Sequence, residues 1–331
     1  MKICIERSDR MGDMILTLPV IQGIKEKNPQ AIIHVIASQK NSKICKQFSL
    51  IDKVFEKSTL SFKNLNKSIS KEKYDYYFTF SPGWFGLRLG FFSKSKVKSS
   101  LILKSRYKSN IFSKLGQIFF SKLFYSFSFV INRFELMQTN HNIHQSNMMM
   151  DVVSKSGLTI SRKIQTKFTF SNVFDLTKDK PVCIIHLSSK WINNYYSEDN
   201  FNDLLKLLNE KNISIYLTTD ETTKNKFSKI FDTIDIINDS QNIHKNTKDI
   251  LICNNFDFEN WTSLINQADY VITPESGCTH IASLTNCKLA VIYDADNSPK
   301  SISQEYAPWN KEYLALETND KNLNQKLYNF I

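Results

Sequence analysis

The chain has 331 residues, 41% hydrophobic and 12% aromatic, which excludes general disorder and suffices for two domains of ordinary size, each with its own core. No run reaches the roughly 18 apolar residues of a membrane span. The amino terminus enters a strand without a long apolar region or a small-residue cleavage site, so a cytoplasmic location is expected. The formal net charge of +11 suits an anionic partner, although a lysine-rich composition spread over a solvated surface accounts for most of it; no groove-reading motif accompanies it, and nucleic acid is not expected.

In chain order, Lys2 to Glu6 read as a strand and Arg7-Ser-Asp-Arg-Met-Gly-Asp13 as a polar loop. A helix over Met14 to Ile24 follows, with Met14, Leu18, Ile21 and Ile24 at helical spacing. Asp13 suits its N-cap. Pro19, several residues inside, costs that helix a hydrogen bond; it is either a tolerated kink or a broken rule of the kind found near functional sites. Strands at Ala31 to Ala37, near Val54 and at Tyr76 to Phe80, with a helix around Leu65 to Glu72, imply a parallel sheet covered on both faces.

From Leu101 to Phe134, Lys104, Arg106, Lys108, Lys114, Lys122 and Arg133 alternate with Ile111, Phe112, Phe119, Phe120, Phe124, Tyr125 and Phe127. Basic residues beside exposed aromatics are what an interfacial helix uses on anionic headgroups, so residues 101–134 are expected to meet an anionic membrane surface. His141 and His144 lead into a helix over Ser146 to Lys155 that Gly157 ends. With no third ligand in view, they are read as helix-entry or substrate-contact residues rather than a metal pair. The six cysteines form no CxxC pair and no Cys/His cluster, which argues against a disulfide framework and a zinc site.

Leu158 to Lys180 lacks clear periodicity, apart from a strand expected at Lys167 to Phe170. The expected division is a first domain over 1–160, a linker over 161–180 and a second domain over 181–331. The second domain opens with a strand, Pro181 to Leu187, followed by Ser188-Ser-Lys-Trp191. Phe201, Leu204, Leu205 and Leu208 mark a helix, and Ile213 to Leu217 a strand with Thr218-Thr-Asp-Glu221 at its end.

Tyr270 to Tyr293 reads strand, loop, helix, strand. Pro274 stops the first strand, Gly277 turns the backbone into a helix carrying Ile281, Ala282 and Leu284, and Leu289 to Tyr293 resume a β-branched run. The loop lies at the carboxyl end of a parallel strand, where open α/β sheets bind ligands. Glu275, Ser276, Gly277, Thr279 and His280 crowd there, suiting a diphosphate at the helix start with a sugar hydroxyl on Glu275. An ordinary capped turn explains the same residues. Asp294-Ala-Asp296 is either a divalent-cation pair or a common acidic loop. A final polar helix is expected at Asn319 to Tyr328.

Arg7-Ser-Asp-Arg-Met-Gly-Asp-Met-Ile-Leu-Thr-Leu-Pro19 and Val271-Ile-Thr-Pro-Glu-Ser-Gly-Cys-Thr-His280 together resemble the heptosyltransferases of glycosyltransferase family 9. The first matches that family's R-x-x-x-x-GD-x-x-x-TLP start and the second its D-[TS]-G-x-x-H. Lys190-Trp191 is similar to the family's K-R-W segment, and Glu221 follows a strand where the family places a glutamate. The resemblance implies a GT-B architecture, two Rossmann-like doubly wound α/β domains facing across a cleft. It implies transfer of a heptose from ADP-heptose, with inversion and without a metal or cofactor, onto an anionic lipopolysaccharide-core glycolipid at the cytoplasmic face of the inner membrane. Asp13 is then the general base, with Arg10, Gly12 and His144 on the acceptor side. Ser188, Ser189, Lys190 and the Ser276-Gly277-Cys278 helix start would meet the diphosphate. His280 would meet the diphosphate or adjoining sugar, Glu275 the heptose hydroxyls and Glu221 the ribose. Glu275 stands where the family usually has aspartate, Ile192 replaces a proline, Thr218-Thr219 replace a pair of glycines, and Asp294 a glycine. Two other readings stay open: a non-catalytic nucleotide- or glycan-binding relative, and an epimerase, for which Asp13 has no clear carboxylate partner.

Overall fold

The computed structural model describes residues 1–81, 83–103, 111–132, 143–176, 179–219, 223–245, 248–296 and 299–331. The chain divides into two compact units, Met1–Phe168 and Thr169–Ile331.

Among the described residues, the first unit holds a six-stranded parallel sheet made of β1 (Lys2–Arg7), β2 (Ile32–Ala37), β3 (Lys53–Glu56), β4 (Tyr76–Thr79), β5 (Val97–Leu103) and β6 (Phe127–Ile131). Their order is β3-β2-β1-β4-β5-β6. Its helices are α1 (Met11–Ile15), α2 (Leu18–Lys27), α3 (Gln39–Gln47), α4 (Phe62–Lys71), α5 (Trp84–Phe92), α6 (Ile111–Phe124) and α7 (Gln145–Lys155). Strand β1 is central, and Ile3, Cys4 and Ile5 are fully buried, as a strand covered on both faces requires. The strand order reverses between β1 and β4, so the crevice where such sheets take ligands opens at the carboxyl end of β1.

The second unit begins with β7 (Val182–His186), α8 (Glu198–Asn209), β8 (Ser214–Thr219), α9 (Ser228–Thr233), β9 (Ile236–Ile237), β10 (Ile250–Asn254) and α10 (Phe258–Asn266). It continues through β11 (Tyr270–Pro274), α11 (Gly277–Ser283), β12 (Lys288–Tyr293), α12 (Pro299–Glu305), β13 (Leu314–Glu317) and α13 (Leu323–Phe330). Among the described residues its seven strands run parallel in the order β13-β12-β11-β7-β8-β10-β9, reversing between β7 and β11. The largest fully buried side chain is Trp191, which packs edge-on to Phe201 at 5.1 Å and donates from its indole nitrogen to the His186 carbonyl. That anchor fixes the course of the loop after β7. All six cysteines are free and buried.

Several sequence expectations change. The helix expected from Met14 to Ile24 is two helices that break at Leu16-Thr17, so Asp13 lies inside α1 and the N-cap position belongs to Arg10, without a side-chain bond. Because α2 restarts at Leu18, Pro19 occupies its first turn, where a missing N–H costs nothing. The segment 101–134 is not one interfacial element: β5 runs to Leu103 and β6 begins at Phe127, paired with it from Ser99↔Phe127 to Leu103↔Ile131, and α6 lies between them. No strand forms at Lys167 to Phe170. The Lys167 N–H donates instead to Gln22 Oε1 at 3.0 Å, and Phe168 stacks on Phe48. The last helix starts at Leu323, four residues later than expected from Asn319.

Candidate active site

The first cluster is built on the carboxyl end of β1. Arg7, the last residue of that strand, is buried, and its guanidinium donates through Nη1 to the Phe80 carbonyl and through Nη2 to Asp13 Oδ1 at 2.7 Å. Its Nε lies 3.2 Å from Asp9 Oδ1. Arg7 thus ties β1, the end of β4 and helix α1 at the strand-order reversal. Asp13 is buried in α1, and among the described residues no hydrogen bond reaches its other oxygen, Oδ2. The Thr17 hydroxyl donates to the Asp13 carbonyl at 2.8 Å, in the break between the helices. A carboxylate held by one oxygen and open at the other is arranged to accept a proton from a hydroxyl.

Glu6 stands behind this loop, fully buried. Its Oε1 accepts from the Ser8 hydroxyl at 2.6 Å, and the Ser8 N–H donates to Ser81 Oγ at 2.6 Å. Among the described residues its Oε2 is buried with no hydrogen-bond partner and lies so close to Gly86 that any Cβ there would collide with it, which is why α5 carries glycine at that point. Burial pushes the Glu6 carboxyl up from its ordinary range to about 7, against the pull of the Ser8 hydrogen bond.

Gly12 is buried next to Asp13, and Arg10 is exposed at the start of α1. His144 is the N-cap of α7, its Nδ1 accepting from the Ser146 N–H at 3.2 Å, and the Ser146 hydroxyl donates to the Leu16 carbonyl at 2.7 Å. His144 thus caps its helix, which is pinned to the α1–α2 break. His141 and Glu221 lie outside the described residues.

In the second unit the loops after β7 and β11 carry the other expected residues. Ser189 and Lys190 are exposed and Ser188 half-buried. Lys190 donates to the Glu275 carboxylate at 2.7 Å and also to the Glu275 carbonyl, so two residues expected to meet different parts of a donor are ion-paired with each other. Ser276 caps α11 in a capping box: its hydroxyl accepts from the Cys278 N–H at 3.2 Å while Thr279 Oγ1 accepts from the Ser276 N–H at 3.1 Å. Gly277 is half-buried, and Cys278, Thr279 and His280 are buried. Burial pushes the Cys278 thiol up to about 12, so it is no nucleophile. The acidic pair after β12 is engaged by amides: Asn193 Nδ2 donates to Asp294 Oδ1 and Asn194 Nδ2 to Asp296 Oδ2, each at 3.1 Å. Among the described residues no group of three or more His, Cys, Asp or Glu side chains is placed to hold a metal ion.

Residues 91–327, well over half of the chain, match the family model described as glycosyltransferase family 9 (heptosyltransferase). The chain belongs to glycosyltransferase family 9. It is thus a glycosyltransferase of the family that the Arg7–Pro19 and Val271–His280 motifs resemble. Solved structures share its fold. Escherichia coli ADP-heptose LPS heptosyltransferase II matches with a TM-score of 0.74 at 12% identity, over 100% of this chain and 97% of that one. A family 9 glycosyl transferase from Veillonella parvula matches at 0.73 and 14%, over 99% and 90%. E. coli heptosyltransferase WaaC with ADP matches at 0.71 and 13%, over 100% of both chains. The two parallel α/β sheets are those of GT-B heptosyltransferases. Among curated proteins no sequence match is found.

The sequence reading missed Glu6 and gave Arg7 no role beyond its place in the motif. The signal was available: charged side chains that end an apolar central strand are buried with it, and burial demands partners.

Proposed function

We propose that this family 9 glycosyltransferase moves a heptose or a related sugar from a nucleotide-sugar, with ADP-heptose the expected donor, onto an anionic glycolipid of the lipopolysaccharide-core type, by a single inverting displacement at a membrane's cytoplasmic face. The acceptor hydroxyl attacks the anomeric carbon, its proton passes to Asp13, the bond from that carbon to the diphosphate oxygen breaks, and ADP leaves with the electron pair. No metal takes part in these steps. The observation that carries the reading is Asp13 itself, buried at the reversal point of the first sheet, oriented by Arg7 through Oδ1 and open at Oδ2. Arg10, Gly12 and His144 lie on the acceptor side. Lys190, with Ser188, Ser189 and the start of α11 at Ser276, Gly277 and Cys278, would offset the charge growing on the diphosphate. His280 would face the diphosphate or adjoining sugar, Glu275 the sugar hydroxyls, and Glu221 the nucleoside ribose. The segment 101–134 would face anionic lipid. The expected division into domains 1–160 and 181–331 with a linker at 161–180 belongs to the same proposal.

Asp13→Asn tests it. Arg7 keeps Asp9 and the Phe80 carbonyl as partners, so the variant should still fold, with some loss of stability, and bind donor, while turnover drops by roughly two to four orders of magnitude, the size of a general-base contribution. A near-normal rate would remove Asp13 from the role. The Lys190–Glu275 ion pair favours a second reading, a non-catalytic binder, because it spends the lysine charge within the protein. Saturable ADP-heptose binding with neither transfer nor hydrolysis would establish that reading instead.

A further inference from the structure

Helix α6 is turned inside out for a domain in water. The residues it buries are Lys114, Gln117 and Ser121, whereas Ile111 is 66% exposed, Leu115 52%, Phe119 67% and Leu123 58%. These four stand at i, i+4, i+8 and i+12 and form one stripe along the helix. Beside it, Phe112 is 79% exposed, and Phe124 and Phe92 are both 44% exposed. Phe91, Phe120 and Phe124 meet edge-on or tilted at 4.8–5.6 Å along this surface, and Trp84 donates from its indole nitrogen to Ser113 at 3.0 Å and packs edge-on to Phe120. An apolar surface of this extent on a single chain marks an interaction site.

The charge around it selects the occupant. Between Asp75 and Glu135 the sequence has no acidic residue and ten basic ones (Arg88, Lys94, Lys96, Lys98, Lys104, Arg106, Lys108, Lys114, Lys122 and Arg133), nearly the whole of the net +11. Of these, Arg88, Lys94 and Lys122 are exposed on or beside α5 and α6. A second copy of the chain would bring two such fields of one sign together, at a cost in repulsion, while an anionic bilayer offers headgroups to the lysines and acyl chains to the stripe.

We infer that α6 lies in the plane of an anionic bilayer with Ile111, Leu115, Phe119 and Leu123 inserted among the acyl chains, so that attachment is apolar first and electrostatic second. The inference deepens the proposed function, resting on it only for a lipid-borne acceptor. A monotopic contact is consistent with the absence, among the described residues, of any helix long and apolar enough to cross a membrane.

The test is co-sedimentation of the full chain with vesicles of phosphatidylglycerol and phosphatidylethanolamine, and with vesicles of phosphatidylcholine alone. The native chain should bind the anionic vesicles, more weakly at high salt but measurably. Phe119→Ser and Leu123→Ser should each lower the partition coefficient by about ten-fold. Circular dichroism should match the native chain, and brominated acyl chains should quench Trp84 fluorescence in the native chain only. Native-like vesicle binding by a variant carrying both Phe119→Ser and Leu123→Ser would overturn the inference. So would a native chain that stays in the supernatant, or a native dimer that Phe119→Ser dissolves. Heptose transfer to a delipidated acceptor separates the two ideas: transfer without vesicle binding sinks the insertion alone, and vesicle binding without transfer sinks the proposed reaction alone.

Discussion

Replacing Glu6 by Gln should favour the first unit more at pH 8 than near pH 4.5. The native carboxyl holds its proton up to about 7, whereas in the unfolded chain a glutamate ionises at its ordinary 4.5. Below the lower value both states bind the proton and ionisation of Glu6 costs nothing. Between the two values the unfolded chain loses its proton and the native chain keeps it, so stability falls as pH rises, and above about 7 the loss levels off. At about 1.4 kcal/mol per pH unit the plateau is about 3 kcal/mol. Gln has nearly the shape of Glu, keeps an acceptor for Ser8 and has no charge to desolvate. The variant should therefore gain up to that amount at pH 8, less what the amide forfeits where Oε2 now lies unpartnered against Gly86. Hydrogen exchange of the Ile3 to Ile5 amides, corrected for the intrinsic rate at each pH, reads this unit without requiring the two units to unfold together. Other carboxylates titrate over the same range, but they cancel in the difference between variant and parent. A difference that stays constant from pH 4.5 to 8 would refute the buried, protonated Glu6.

Arg7→Met should destabilise the same unit by about 3–5 kcal/mol, because it leaves Asp13 buried without its cation; urea midpoints measure it, and a loss below about 1 kcal/mol would mean the pair is not desolvated. Gly90→Ala places a methyl against the Tyr125 hydroxyl and 2.7 Å from the Tyr77 ring, an overpacking worth about 1–3 kcal/mol that calorimetry would detect. Lys190→Met should raise the donor KM by roughly ten- to a hundred-fold, the worth of a charge-assisted hydrogen bond, with a smaller change in thermal stability, since Lys190 is exposed and its half-buried partner Glu275 stays open to water. An unchanged KM would take Lys190 off the diphosphate.

Much of this protein was fixed by local pattern. Period changes alone placed β1, β2, β7, the β11–α11–β12 unit and α7 with its closing Gly157, and the alternation of strand and helix announced parallel sheets before any contact was known. Such features depend on neighbours a few residues away, which a sequence displays directly. The split at Leu16-Thr17, the Lys167 bond to Gln22 in place of the expected strand, and the Arg7 clamp on Asp13 depend on partners far along the chain, such as Ser146, Gln22 and Phe80. Helix α6 shows the division most plainly. Its aromatic and basic residues could be read from the sequence, but which of them face outward was decided by how β5 and β6 flank it, since only packing chooses the stripe that a helix shows to its surroundings.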